Sequence, residues 1–497
     1  MQFDFQASST LPRLAWCAQM NRGRHTVLVR CGPWVETRKK CFFEGAWDGP
    51  LAEERPDEAI TQVGTAGRVA SESVVFSTST NLHDRLYFYR QEDSLWVSNS
   101  LAFILVEAGD EPDPGFPYYS GEWLSQVLAG IRREKRSLPL RRGEVIMHEC
   151  ANLTVGLDLE VRRSEKKVPP RPESYRDYVE LLSASMAGVF ENARHPDRNQ
   201  DYLPLATLSR GYDATAVAAL AQGLGCNEAV TFKDESEEQL KQDSGRIIGE
   251  ELGMEVFEFE RGAYAMSPGT PEAEFCMMPW GGDVVFASME SILPGRILLT
   301  GRYGDDILSL NSRYLVPDLK QFSQGGMAGS MLNEFRLRVG FHNFPPLFAG
   351  WQHVEAVHQI SRGEDMKEWS IGGQYDRPVA RRMIEEVGVP RELFGNIKMA
   401  GGVQAVSDAK DLCQASQTDY QEFLGQSTLR SRSWVHVVFL HWADRTLKSI
   451  NRSIARWTRA LGKPLYPMPR LHPRHWRNPD ETRLLHWGFS RIRDRYR

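Results

Sequence analysis

The segment Pro204-Leu205-Ala206-Thr207-Leu208-Ser209-Arg210-Gly211-Tyr212-Asp213-Ala214-Thr215-Ala216-Val217-Ala218-Ala219-Leu220 restricts the fold more than any other part of the chain. It reads as a short apolar strand, a tight Ser-x-Gly-x-Asp turn and an alanine-rich helix. A strand that turns straight into a helix aims several backbone N–H groups, and the positive end of the helix dipole, at one point. Phosphate and pyrophosphate bind at such points. Asp213 stands where a carboxylate can hold the magnesium that accompanies a nucleotide. The plain alternative is an ordinary βα turn, with Gly211 there only to permit an unusual backbone angle.

The surroundings of this turn follow an alternating pattern. Apolar positions Tyr178, Leu181, Leu182, Met186 and Phe190 predict a helix from Tyr175 to Asn192. Glu228 to Phe232 and Met254 to Phe259 read as strands, and Glu237 to Leu252 as a helix closed by Gly253. Strands alternating with helices predict a parallel sheet covered on both faces, with ligands at the carboxyl ends of its strands.

Residues 1–160 read differently, as short strands and turns. Thr26 to Arg30, Ser73 to Ser77, Arg85 to Tyr89 and Ser94 to Ser98 are β-branched or aromatic runs bounded by polar residues. Tyr87–Tyr89 and Leu95–Val97 predict a hairpin, and Pro139 to Met147 a further turn and strand. Residues 161–174 are charged and proline-rich, which predicts a solvated linker, with a nucleic-acid contact as the alternative. The remainder divides into residues 175–429 and a basic extension, 430–497, which carries 16 Lys/Arg against 4 Asp/Glu. Its helical stripe of apolar residues, Trp434 to Leu461, suits a terminal helix docked on the preceding domain. An anionic partner or a membrane surface is the other reading.

Composition excludes several classes. With 41% hydrophobic and 25% charged residues, 497 residues can bury a large core in two or three domains. A net charge of −5 gives no general attraction to nucleic acid, so no nucleic-acid partner is expected. Seven scattered cysteines without a Cys-x-x-Cys pair fit free thiols in a reducing compartment. No signal peptide and no transmembrane run is legible, which predicts a cytoplasmic protein. His148 with Glu149, or His472 with His475, suggest a metal site only weakly, and the second pair sits in a proline- and arginine-rich stretch with no third ligand nearby.

The turn at 208–215 resembles the pyrophosphate loop of the asparagine synthetase and β-lactam synthetase-like family, Leu-Ser-Gly-Gly-x-Asp-Ser. Three later segments resemble family elements in the same order: Arg296 to Asp306 its second strand and acidic loop, Glu334-Phe335-Arg336 its Glu-x-Arg, and Lys398 its late lysine. The resemblance implies an α/β chain, with a degenerate glutaminase-like (Ntn-hydrolase-like) α+β domain first. A doubly wound, parallel-sheet pyrophosphate-loop domain of the adenine nucleotide alpha hydrolase-like type would follow. It further implies ATP and Mg2+, with Asp213 and Asp305 on the metal and Leu208, Ser209, Arg210, Gly211, Asp213, Ala214, Thr215, Phe232 and Gly301 around the nucleotide. Glu334 would act as base or its partner, Lys398 and Arg302 as catalytic groups. The implied reaction adenylates a small-molecule carboxylate and joins it to an amine. The plain readings are an exposed Glu334 paired with Arg338, and Lys398 as a surface lysine.

Several positions depart from the family pattern. Gln2 stands where glutamine-using members carry a nucleophilic cysteine, so glutamine hydrolysis is not expected. Arg210 replaces the first loop glycine, Ala214 the loop serine with Thr215 as the nearest substitute, and Arg302 an acidic or tyrosine residue. These changes keep open a catalytically inactive nucleotide-binding or scaffold relative. A nucleic-acid thiolation enzyme is a third reading, supported only by the basic tail, since its candidate thiols Cys226 and Cys276 have no electropositive neighbour in sequence. The sequence also leaves a homo-oligomer open.

Overall fold

The computed structural model describes residues 1–116, 119, 137–233, 243–274, 281–310, 332–373, 375–396, 405–406, 408–427 and 479–497. It shows a mixed α/β chain with a strand-rich N-terminal region followed by a parallel sheet.

Two sheets make up the N-terminal region. One runs, strand by neighbouring strand, β1 (Gln2–Ala7), β3 (Thr26–Cys31), β2 (Trp16–Asn21), β11 (Ser94–Ser98), β10 (Leu86–Gln91), β13 (Glu144–His148) and β12 (Ser137–Pro139). The other runs β15 (Val161–Glu165), β14 (Ala151–Val155), β9 (Ser73–Ser77), β8 (Ala66–Ala70), β5 (Cys41–Phe43) and β4 (Glu36–Thr37). Alternate residues face inward, and Trp16, Phe42, Phe76 and Phe88 interlock as the buried core between the sheets. The predicted hairpin is β10–β11, with Tyr89 opposite Trp96 and Tyr87 opposite Ser98. β4 and β5 are followed by the short pair β6 (Ala46–Trp47) and β7 (Gln62–Val63).

One boundary needs correction. Val161–Glu165, read as the start of a linker, pairs along its length with β14. Its side chains are largely exposed, so an edge strand carrying arginines looks like a solvated linker in sequence.

The second half is built on β18 (Glu255–Glu260), β17 (Glu228–Lys233), β16 (Leu203–Thr207), β20 (Arg296–Leu299) and β21 (Phe341–Phe344), all parallel and in that order across the sheet. Leu205 and Ala206 of β16, Ile297 to Leu299 of β20 and all of β21 are buried, as expected of strands covered on both faces. The chain moves outward from β16 to one side through β17 and β18, then crosses back to β20 on the other. Such a reversal opens a crevice at the carboxyl ends of β16 and β20.

The helices that matter below are α1 (Leu101–Ala108), α2 (Tyr175–Ala193), α3 (Tyr212–Gln222), α4 (Arg246–Glu251), α5 (Gly304–Ile307), α6 (Asn333–Val339), α7 (Pro378–Glu385), α8 (Gln414–Gln426) and α9 (Pro479–Ile492). Ser174 and Asp177 form a reciprocal capping box that starts α2 where the sequence predicts it. The helix read from Glu237 has its described part at α4 only. Asp243 to Gly245 are not helical, because Ser244 bridges to Ser209 and Gly245 lies where a Cβ would come within 2.7 Å of Leu208.

The halves are joined through α6. Arg336, 1% exposed, pairs with Glu44 at 2.9 Å and Asp84 at 3.0 Å. Asn333 Nδ2 donates to the Asn99 carbonyl at 2.8 Å, and Leu14 N–H to the Leu337 carbonyl at 2.9 Å. α9 docks on α8, where Trp487 Nε1 and Arg491 Nε both donate to Asp419 at 2.7 Å. The stripe Trp434 to Leu461 lies outside the described residues. Among the described residues, no helix is long and apolar enough to cross a membrane.

Candidate active site

The loops after β16 and β20 meet at the crevice, and they meet tightly. A Cβ on Gly301 would lie 2.2 Å from Ala214 N, and one on Gly304 would lie 2.2 Å from Asp213 Cγ. Only glycine lets the second loop lie against the start of α3 at these points. Tyr303, between them, adopts φ 69° and is 5% exposed, with its ring 4.7 Å from Phe348 and 6.0 Å from His83. A left-handed tyrosine is costly, and its burial against both halves holds it there.

The packing brings Asp213 and Asp305 together. Arg377, 3% exposed, sits between them, Nη1 paired with Asp213 and Nη2 with Asp305. Burial alone would push the guanidinium down, but the two carboxylates outweigh it and hold Arg377 above its ordinary value. Arg377 precedes Pro378, the first residue of α7, and its plane lies 4.9 Å from the Tyr375 ring. The Tyr375 hydroxyl in turn accepts the N–H of Tyr212 at 3.3 Å. Asp376 fixes this short segment by accepting from Gly372 N–H at 2.9 Å and Ser370 Oγ.

The loop's own donors are engaged. Gly211 N–H donates to Ser209 Oγ at 3.1 Å, and Arg210 N–H to the carbonyl and carboxylate of Asp243 at 3.3 and 3.2 Å. With Tyr212, three consecutive N–H groups at the start of α3 are thus satisfied within the protein. Thr215, expected to replace the missing serine hydroxyl, is fully buried and donates to the Ser209 carbonyl at 2.7 Å. Leu208 is buried, its N–H on the Val230 carbonyl at 2.8 Å. Tyr212 is enclosed by Arg381, Phe394 and Gly395. Gly395 N–H donates to the Arg210 carbonyl at 2.8 Å. Lys398, three residues further, lies outside the described residues.

Other candidates stand elsewhere. Glu334 is 3% exposed and accepts from Ser100 Oγ at 2.9 Å, Ala102 N–H at 3.4 Å and the Tyr496 hydroxyl. Burial raises its carboxyl, against the pull of the Tyr496 and Ser100 bonds. These partners come from α1 and the C-terminal segment, not the loop, so the carboxylate ties three parts of the fold together. The exposed alternative fails as well, since Arg338 pairs with Glu290 at 2.6 Å and Glu272 at 2.9 Å. Arg302 pairs with fully buried Asp283. Phe232 packs edge-on against Phe286 at 5.9 Å, with Arg261 over its face at 5.6 Å.

A cation fits the acid pair in number and type, since magnesium is commonly held by one or two carboxylates together with the phosphates of its nucleotide. Among the described residues, no group of three or more His, Cys, Asp or Glu could hold a metal without such help. The sequence reading missed Arg377, Tyr375 and Asp243. The Arg-Pro helix start at 377–378 was visible, but not its pairing across 164 residues. No family model and no curated protein matches the chain.

Proposed function

We propose that this chain is an ATP-dependent, AMP-forming ligase of the asparagine synthetase-like type, which adenylates a carboxylate and joins it to an amine without hydrolysing glutamine. The observation that carries the reading is the meeting of Asp213 and Asp305, from loops at the carboxyl ends of adjacent parallel strands, on one guanidinium. Both acids would hold magnesium, which would neutralise the pyrophosphate leaving group. Arg377, once off the carboxylates, is a planar fork suited to two phosphate oxygens. Lys398 remains the proposed cationic stabiliser. The base is not Glu334, whose carboxylate is enclosed. Cys17 supports the lack of glutaminase chemistry: burial pushes its thiol up, with Glu107 adding to the shift, the reverse of what a nucleophile needs.

A second reading has its own support. The N–H groups of Arg210, Gly211 and Tyr212 already bond to Asp243, Ser209 and Tyr375, as a permanently filled phosphate cradle in a non-catalytic relative would. Calorimetry of Mg-ATP on the full chain separates the two. The ligase reading expects micromolar binding that falls at least tenfold in Asp213→Ala. No heat with Mg-ATP, and no shift of the melting temperature, would set it aside in favour of the scaffold.

A further inference from the structure

A narrow cleft of about 30 Å3 lies away from the acid pair, lined by residues of both halves. That is room for a carboxylate group or about two waters. Lys166, Asn81 and Thr61 line it together with Phe344, Phe348 and Trp351.

Two of its lining side chains carry buried donors. Asn81 is 3% exposed, and its Oδ1 accepts from His83 N–H at 2.8 Å and Ser79 Oγ at 3.1 Å. Turning the amide over would set its NH2 group against the His83 N–H, so the orientation is fixed. Asn81 Nδ2, with two hydrogens, has no partner among the described residues. Lys166 is 4% exposed, and its Nζ donates to the side-chain oxygen Oε1 of Gln62 at 2.8 Å. Gln62 is itself fixed, its Nε2 donating to Ser77 Oγ at 3.1 Å. The lysine makes no ion pair among the described residues, so one neutral acceptor serves a group with three donors. Buried ammonium groups are ordinarily paired. Burial pushes the Lys166 amine down to about 7, with Cys150 and Asp57 opposing the shift. Two of the residues lining the cleft thus carry buried donors, one of them unpartnered among the described residues, and an anionic acceptor of carboxylate size suits both.

We propose that this cleft binds the carboxylate group of a small organic acid, received by Lys166 Nζ and Asn81 Nδ2, with Phe348 and Trp351 contacting its apolar end. The site stands whether or not the chain binds ATP. Propionate is the probe, titrated calorimetrically into the full chain at pH 7, with sodium chloride at equal ionic strength as reference. Asn81→Asp is the decisive variant: it keeps the oxygen that accepts from His83 and replaces Nδ2 with an oxygen that repels a carboxylate and pairs with Lys166. The expected result is millimolar binding by the natural chain, at least tenfold weaker in Asn81→Asp and in Lys166→Met. Propionate indistinguishable from chloride would overturn the proposal and leave the cleft to water. Equal affinity in Asn81→Asp would overturn it too, by placing the acid elsewhere. Should Lys166→Met fail to fold, the aspartate variant decides alone.

Discussion

Replacing Lys166 with methionine changes how stability depends on pH, and the size of the change follows from its burial. The amine has a native pKa of about 7 against an ordinary value of 10.5. The unfolded chain therefore binds more protons than the native one between those values, and stability rises with pH across the window. The penalty is fully present below pH 7 and gone above 10.5. Between pH 7 and pH 9.5 it shrinks by about 3 kcal/mol. Cys150 does not interfere, because burial pushes its thiol up to about 12, and Asp57 is held by Arg68 at 2.5 Å. Losing the Gln62 bond costs about 1 kcal/mol at every pH and leaves the slope alone. If the whole chain melts together, its unfolding entropy converts the difference to about 3 °C, and to more if the N-terminal region melts separately. The measurement is the melting temperature of both proteins at pH 7 and pH 9.5, in matched buffers free of carboxylates. Lys166→Met should gain on the natural protein at pH 7 and lose that gain at pH 9.5. A difference between the two that stays constant with pH refutes a Lys166 amine that loses its proton within this window.

Other changes test the packing around the acid pair. Glu334→Ala removes the acceptor for Ser100, Ala102 and Tyr496 and should cost about 2–4 kcal/mol, seen as a lower urea midpoint; an unchanged midpoint would return Glu334 to the list of catalytic candidates. Gly304→Ala places a methyl group 2.2 Å from Asp213 Cγ and should cost about 1–3 kcal/mol by overpacking, read from the same curves. Arg377→Gln removes the guanidinium that Asp213 and Asp305 share. Mn2+ alone should then raise its melting temperature by several degrees more than it raises that of the natural chain; equal responses would show that the guanidinium does not stand in a cation's place.

Local patterns were legible where local physics decides. The β10–β11 hairpin, the capped start of α2 and the passage from β16 into α3 all follow from residues within a few positions of one another. The two acidic loops were legible too, because apolar runs ending in glycine and acid mark strand ends. What escaped depends on partners far along the chain. Glu334 lies 234 residues from Ser100, and nothing near either announces that a carboxylate will be enclosed there. Asp243 to Gly245 carries no helix-breaking signal stronger than one glycine, and it is the close approach of Leu208 and Ser209 that excludes helix. Val161–Glu165 was hidden by its own charges, since an edge strand needs only one partner and keeps Arg162 and Glu165 in water.

The arrangement at Asp213 gives the ligase and scaffold readings different consequences for the same residues. Tyr375 accepts a backbone N–H as a phosphate oxygen would, and Arg377 lies between two carboxylates as a divalent cation would. One segment of three residues thus matches both the anion and the cation of a metal–nucleotide pair. In a ligase, metal or nucleotide arriving alone meets half of that arrangement still in place. Metal alone must take both carboxylates from Arg377 and offers the guanidinium no anion in return, whereas phosphate supplies one. Binding of the two is then strongly coupled, and each raises the affinity for the other by the same factor. In a scaffold the segment is permanent and no such coupling exists.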